Sequence, residues 1–237
     1  MKWMPILALM CAFMMCGDLS ADNERYQYLL FYKEQDESTS QMQQTLKHAL
    51  AKLGDKASSV EIDVSDPSND DIVKAYNLRR SPMPLILVIA PNGAIASGFP
   101  LKVTEENLLS AVMTEAMADT LKALQNRRLV LLSVQNHRTS KNSEAIASAK
   151  AFQTDPRFSA ATETIFIDSS NHEEQAFLKQ LGVDPTTPVA MTVVIAPPSK
   201  VVGKYEGSFD KDALISDLKK ASTGCCPGGC CNGCCCH

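Results

Sequence analysis

The strongest constraint on this chain is that it says the same thing twice. The stretch "AYNLRRSPMPLILVIAPNGAIASGF" returns, a little over a hundred residues later, as "QLGVDPTTPVAMTVVIAPPSKVVGKY". Each runs from a helix end through a proline-containing turn into an apolar, β-rich run ending in "VIAP", then a turn and another strand. Pro82 matches Pro188, and the two VIAP strings fall in register with them. Upstream, "SSVEIDVSDPSNDDIVKAYNL" parallels "TETIFIDSSNHEEQAFLKQLGV": a short strand ending at an aspartate (Asp63, Asp168), a polar loop, then a helix. "YQYLLFY" and "RLVLLSV" are the opening strands, each followed by a polar stretch and a helix. Repetition on this scale means two copies of one supersecondary plan.

Each copy reads β-α-β-α-β-β-α over roughly 100 residues. That order predicts parallel pairing of the early strands through crossovers and a hairpin for the last two. Leu108, Leu109, Val112, Met113 and Ala116 form one apolar stripe, and Leu214, Ile215 and Leu218 another, at the spacing of helices packed on a sheet. The continuous pattern over 104–126 predicts a long helical stretch and a short, stiff junction. At 237 residues the chain accommodates two domains of this size. The domains predicted are 22–117 and 118–221, preceded by a leader at 1–21 and followed by a tail at 222–237.

From Tyr26 to Leu218 this plan resembles the thioredoxin-like superfamily, twice over. The signs are the order of elements, the proline before the third strand, and the turn Pro91-Asn92-Gly93 between the last two strands. The resemblance implies an α/β fold, a central mixed sheet flanked by helices in each of two tandem thioredoxin-like domains. It also implies a cis proline facing an active site, for which Pro82 and Pro188 are candidates and Pro84 is an equal alternative in the first copy. Enzymes of that superfamily carry Cys-x-x-Cys after the first strand, where a helix N-terminus lowers a thiol's pKa. Laid on this chain, the pattern puts Asp36 and Thr39 at those positions in the first copy. In the second, to within a residue or two, it puts His137 and Ser140 there. Neither copy has a cysteine at the site, so neither can do dithiol chemistry alone, and no catalytic residue is assigned. Asp36, Ser38 and Thr39 read as a helix N-cap and loop. His137, His48 and His172 read as solvated surface residues. No catalytic triad, Gly-rich phosphate loop or metalloprotease helix motif is present.

The cysteines are elsewhere. Seven of nine lie in the closing "GCCPGGCCNGCCCH", and the other two, Cys11 and Cys16, in the apolar opening. Pro227, Gly228, Gly229, Asn232 and Gly233 favour turns over a helix, and the tail offers no apolar core, so it is expected to be disordered. Thiolates clustered on a turn-rich backbone suit soft ions, Cu(I) or Zn(II). The expected ligands are Cys225, Cys226, Cys230, Cys231, Cys234, Cys235, Cys236 and His237. The Cys231-x-x-Cys234 spacing is that of a zinc-knuckle half-site, and the composition resembles metallothioneins, although it is shorter and richer in Cys-Cys pairs. Alternatives stay open: disulfide crosslinking to another chain, a mobile thiol–disulfide arm, or a tandem body that binds other proteins while the tail only anchors it. An odd thiol count favours intermolecular bridges. Lys219 and Lys220 are the nearest cations able to activate a tail thiol.

The first residues carry Lys2 and then an apolar run from Ile6 to Met15, which suits a secretory signal ending near Ala21. The expected location is exported, periplasmic or extracellular. Cys16 offers a second reading, a lipid-anchored cysteine, but Met14 and Met15 stand where such sites carry small residues. That run is too short to span a bilayer and no other approaches the length, so no transmembrane segment is expected. A net charge of −4 and pI near 5.6, with no Lys/Arg-rich tract, exclude nucleic acid as the expected partner.

Overall fold

A computed structural model describes residues 24–223. The first copy comprises β1 (Tyr26–Tyr32), α1 (Glu37–Leu53), β2 (Ala57–Asp63), α2 (Asp70–Ala75), β3 (Leu85–Ile89), β4 (Ile95–Pro100) and α3 (Glu105–Ser110). After α4 (Glu115–Gln125) the plan repeats as β5 (Leu129–Gln135), α5 (Asn142–Gln153), β6 (Thr162–Asp168), α6 (Gln175–Gln180), β7 (Met191–Ala196), β8 (Lys200–Glu206) and α7 (Lys211–Thr223). The element order within each copy is the one the repeat predicts. None of the helices among the described residues is long and apolar enough to cross a membrane.

The strands form two four-stranded sheets of the same topology, β2-β1-β3-β4 and β6-β5-β7-β8. In each, the first pair is parallel and the other two antiparallel. The aromatic and aliphatic residues of β1 alternate between faces. Tyr28 and Leu30 join the cluster under α1 and α3 with Met42, Leu46 and Leu108, while Leu29 and Phe31 join the opposite cluster with Val73 and Leu78. The VIAP strings behave alike, each breaking register at a bulge, between Val88 and Ile89 and between Val194 and Ile195.

The second core departs from the first at one paired position. Leu30 faces Ile86 across β1 and β3, and the corresponding pair across β5 and β7 is Ser133 and Thr192. Both are fully buried, and neither hydroxyl has a partner among the described residues. Ala145 takes the place of Met42 above them and is also fully buried.

The stripe read as one helix over 104–126 is two helices. Tyr26 explains the break: its hydroxyl donates to the Met113 carbonyl at 2.9 Å and accepts from the Met113 amide at 3.1 Å. Those two groups are withdrawn from any helical ladder, and Thr114 turns extended to cap α4, accepting from the Met117 amide. α4 then serves both domains. Ala118 and Leu121 pack into the first domain's core, and Ala116, Ala123 and Leu124 into the second's. Its polar side chains hold the first domain's β3–β4 hairpin. Gln125 accepts from the Ile95 amide (3.0 Å) and donates to the Ile95 carbonyl (2.8 Å), a side-chain substitute for a neighbouring strand. Lys122 donates to the Gly93 carbonyl, and Asn92 donates to Asp119. On the other side Thr114 donates to the carboxylate of Glu174, a buried residue just before α6.

Tyr28 ties β1 to α3 and carries a pH signature. It is fully buried and donates to the Leu108 carbonyl at 2.8 Å. Burial first, and the neighbouring Tyr26 second, push its pKa up to about 12. Tyr205, half-buried and donating to Asp217, is also pushed up to about 12, by burial first and by Asp217 second. A phenol that ionises later in the folded than in the unfolded chain contributes stability below pH 10 that is lost as pH rises from 10 through 12. Unfolding followed by circular dichroism is expected to show that alkaline decline. Tyr28→Phe is expected to flatten it while costing about 1 kcal/mol near neutrality through the lost hydrogen bond. An unchanged alkaline slope in Tyr28→Phe contradicts the assignment.

Candidate functional site

In this topology chemistry collects where the first strand of a sheet ends and the following helix begins, beside the loop entering the third strand. Both copies build that corner. In the first, Asp36 is the N-cap of α1: its Oδ1 accepts from the Thr39 amide at 2.8 Å. That amide hydrogen bond is the main reason its carboxyl is held below the usual range, so Asp36 is an anion at neutral pH and no proton donor. Thr39 is buried, and its hydroxyl donates to the Glu34 carbonyl at 2.9 Å. The loop opposite carries the cis bond Met83–Pro84. This settles the choice between Pro82 and Pro84 in favour of Pro84. Lys33, Glu34, Asp36, Thr39, Met83 and Pro84 line a cleft of about 230 Å³.

The second copy corrects the sequence alignment. Sheet register and the buried faces of α1 and α5 pair Asp36 with Thr139 and Thr39 with Asn142, not with His137 and Ser140. Strand and helix keep the same spacing in both copies, with no insertion, but α5 begins at Asn142, two residues later than α1 does relative to its strand, and no residue pattern in the polar run "QNHRTSKN" reveals it. Thr139 is buried, its hydroxyl 2.6 Å from Asn142 Oδ1 and 2.8 Å from the Asn136 carbonyl. Asn142 donates in turn to the Asn136 carbonyl at 2.7 Å, and Asn136 to Ser169 at 2.7 Å. The two positions that carry thiols in dithiol enzymes are thus linked by hydrogen bonds in both copies. His137 is exposed and accepts from Arg138; His48 and His172 are exposed as well.

Pro188 is not cis; the cis bond in the second copy is Pro197–Pro198, in the turn after β7. Register pairs cis Pro84 with Ala190, a residue that keeps its amide hydrogen, and the chain uses it. Ala190 donates to the Ser140 carbonyl and Ser140 donates back to the Pro188 carbonyl, both at 2.9 Å, closing a parallel bridge between Ser140 and Val189. The second copy's corner is therefore filled by its own backbone. In the first copy the position of Ala190 is held by Pro84, which has no amide hydrogen to give, no such bridge forms, and the neighbouring Met83 amide has no hydrogen-bond partner among the described residues. One corner is open and the other closed.

Cys225, Cys226, Cys230, Cys231, Cys234, Cys235, Cys236 and His237, the expected metal ligands, lie outside the described residues, as do Cys11, Cys16 and the leader. Among the described residues no group of three or more His, Cys, Asp or Glu is placed to hold a metal ion.

By element order and strand topology each half has a thioredoxin-like fold, and the chain carries the fold twice in tandem. No protein-family model and no curated protein sequence matches it. Among solved structures, the first two thioredoxin domains of Naumovozyma dairenensis Eps1p are similar over 89% of this chain and 95% of that one, at 8% identity and a TM-score of 0.31. The N-terminal domain of the alkylhydroperoxide reductase AhpF from Enterococcus faecalis is similar over 84% of this chain and 91% of its own, at 15% identity and a TM-score of 0.31. The germline-specific thioredoxin Deadhead of Drosophila melanogaster is similar over 38% of this chain and 81% of its own, at 22% identity and a TM-score of 0.32.

Proposed function

We propose that this chain is an exported, non-catalytic tandem thioredoxin-like scaffold whose C-terminal cysteine cluster captures soft metal ions, Cu(I) or Zn(II). The observation that carries this reading is the separation of fold from thiols. The two positions where such domains hold a dithiol are filled by Asp36 with Thr39 and by Thr139 with Asn142, while all cysteines of the sequence sit at its two ends. No carboxylate, hydroxyl or amide can enter a mixed disulfide, so thiol chemistry falls to the tail. Seven thiols and an imidazole on a glycine-rich backbone can converge on one or two tetrahedral ions, or on a bridged Cu(I) cluster. The test is elemental analysis of the full chain, purified from its export compartment, beside a chain ending at Thr223. At least one equivalent of copper or zinc in the full chain and none in the shorter one is expected. Absence of metal from both, with the tail oxidised, overturns metal capture in favour of disulfide exchange or crosslinking through the tail.

A second reading, compatible with the first, is favoured by the contrast between the corners. The body binds other proteins, and it does so at the first domain, where the Met83 amide and the adjacent cleft are free.

A further inference from the structure

The repeat supplies an internal reference for each exposed position of the sheets, and one pair of positions departs from it. In the first copy, Glu61 on β2 lies beside Leu30 and accepts a hydrogen bond from Gln43 of α1 at 2.7 Å. In the second, the residue beside Ser133 is Phe166, and the residue that follows Ala145, the counterpart of Met42, is Ile146. Where the first copy sets two polar side chains in contact, the second carries an aromatic and an aliphatic one. Both are exposed, Phe166 by 55% and Ile146 by 38%. Phe166 shares a face of the sheet with Thr164, whose hydroxyl donates to Gln153 of α5 at 3.1 Å, so it stands on the α5 side.

β6 is also an edge of its sheet. It pairs with β5 alone, and the backbone of 163–167 makes no backbone hydrogen bond to any other element among the described residues. Edge strands are ordinarily blunted by charge, as β2 is by Glu61, but the run Thr164-Ile165-Phe166-Ile167 carries none. On the opposite face Ile165 and Ile167 turn toward α4 and pack with Ala116. That side of the edge is acidic. A cleft of about 410 Å³ between β6 and α4 is lined by Glu115, Asp119, Glu163, Asp168 and Glu174 together with the strand itself. Of these carboxylates only Glu163 is paired with a cation among the described residues, Arg128 at 2.9 Å.

We propose that the free edge of β6 receives an added strand from another protein, an extended segment in which apolar and basic residues alternate. A strand added there turns successive side chains to opposite faces. Its apolar residues meet Phe166 and Ile146 on one face, and its lysines or arginines meet Glu115 and Asp119 in the cleft on the other. The same acidity disfavours a second copy of this chain, which would bring its own carboxylates to the edge. The surface belongs to the second domain and shares no lining residue with the first domain's cleft, so it goes beyond the reading given for that cleft.

The test uses the full chain and, as probe, a fluorescein-labelled decapeptide of alternating valine and lysine, which has no thiol for the tail to capture. Binding is read by fluorescence anisotropy at physiological ionic strength. Saturable one-to-one binding is expected, with slowed hydrogen exchange in 163–167. A peptide of the same composition, with its valines and lysines in separate blocks, is expected to bind more weakly. Phe166→Glu places the first copy's charge at an exposed position, and is expected to weaken binding at least about tenfold with an unchanged melting temperature. That variant makes the surface more acidic, so simple charge attraction would strengthen binding instead. Equal or tighter binding by Phe166→Glu, equal binding of the block peptide, or no saturable binding overturns the proposal. A wild-type dimer in sedimentation that Phe166→Glu converts to a monomer assigns the edge to a second copy and overturns it as well.

Discussion

Replacing Asp36 and Thr39 with cysteines, in a chain ending at Thr223, is expected to turn the first domain into a working dithiol. The corner already has what such a site needs apart from sulfur. Asp36 caps a 17-residue helix, and Thr39 is buried three residues on, in hydrogen-bond contact with it. A thiol at that helix N-terminus meets the positive end of the helix dipole and unpaired amides. In Cys-x-x-Cys sites the thiol pKa falls from about 8.5 to about 7, which raises the thiolate fraction at neutral pH from a few per cent to about half. Exchange with a model disulfide such as insulin should therefore rise from undetectable to at least about tenfold above an ordinary surface thiol. Losing the Asp36 cap costs about 1 kcal/mol, which a folded domain tolerates. The same exchange at Thr139 and Asn142 is expected to react more slowly, because the Ser140–Val189 bridge occupies the backbone beside it. A folded double-cysteine variant with free thiols and no activity would mean that something other than missing sulfur keeps the domain silent.

Ala123→Asp is expected to cost about 3–5 kcal/mol, the range for a charge left buried without a partner. Ala123 is 1% exposed and packs into the second domain's core with Leu124, Val130 and Leu132. The loss should not stay in the second domain, because α4 is also the support of the first. Gln125 holds both backbone groups of Ile95, Lys122 holds Gly93, and Ala118 fills the first core. Hydrogen exchange read segment by segment should show faster opening in the β3–β4 hairpin as well as in β5 and β6. Loss of protection confined to the second domain would show that α4 does not couple the two.

How much of this was legible in the sequence follows from the range of the interactions involved. Element order, the parallel pairing of the early strands and the closing hairpin came through because a hydrophobic run and its turn are local, and here each was written twice. The N-cap at Asp36 was legible for the same reason. The helix break before α4 was not, because it depends on a hydroxyl from Tyr26, 87 residues away, displacing the ladder at Met113. The match of His137 and Ser140 to the dithiol positions failed by two residues. A polar loop has no periodicity to align by, and only the sheet register and the buried faces of α1 and α5 set the match. The choice between Pro82 and Pro84 required the backbone itself.

The account turns on thiol chemistry residing in the tail and not in the folded body, and residue-resolved thiol reactivity tests that most directly. The native full chain is alkylated with and without a chelator, and each cysteine is read by mass spectrometry. The prediction is that Cys225, Cys226, Cys230, Cys231, Cys234, Cys235 and Cys236 are protected together and become reactive together when the chelator removes the metal. Tail cysteines that react equally fast in both conditions would contradict metal capture and leave the cluster as free thiols in search of a disulfide partner.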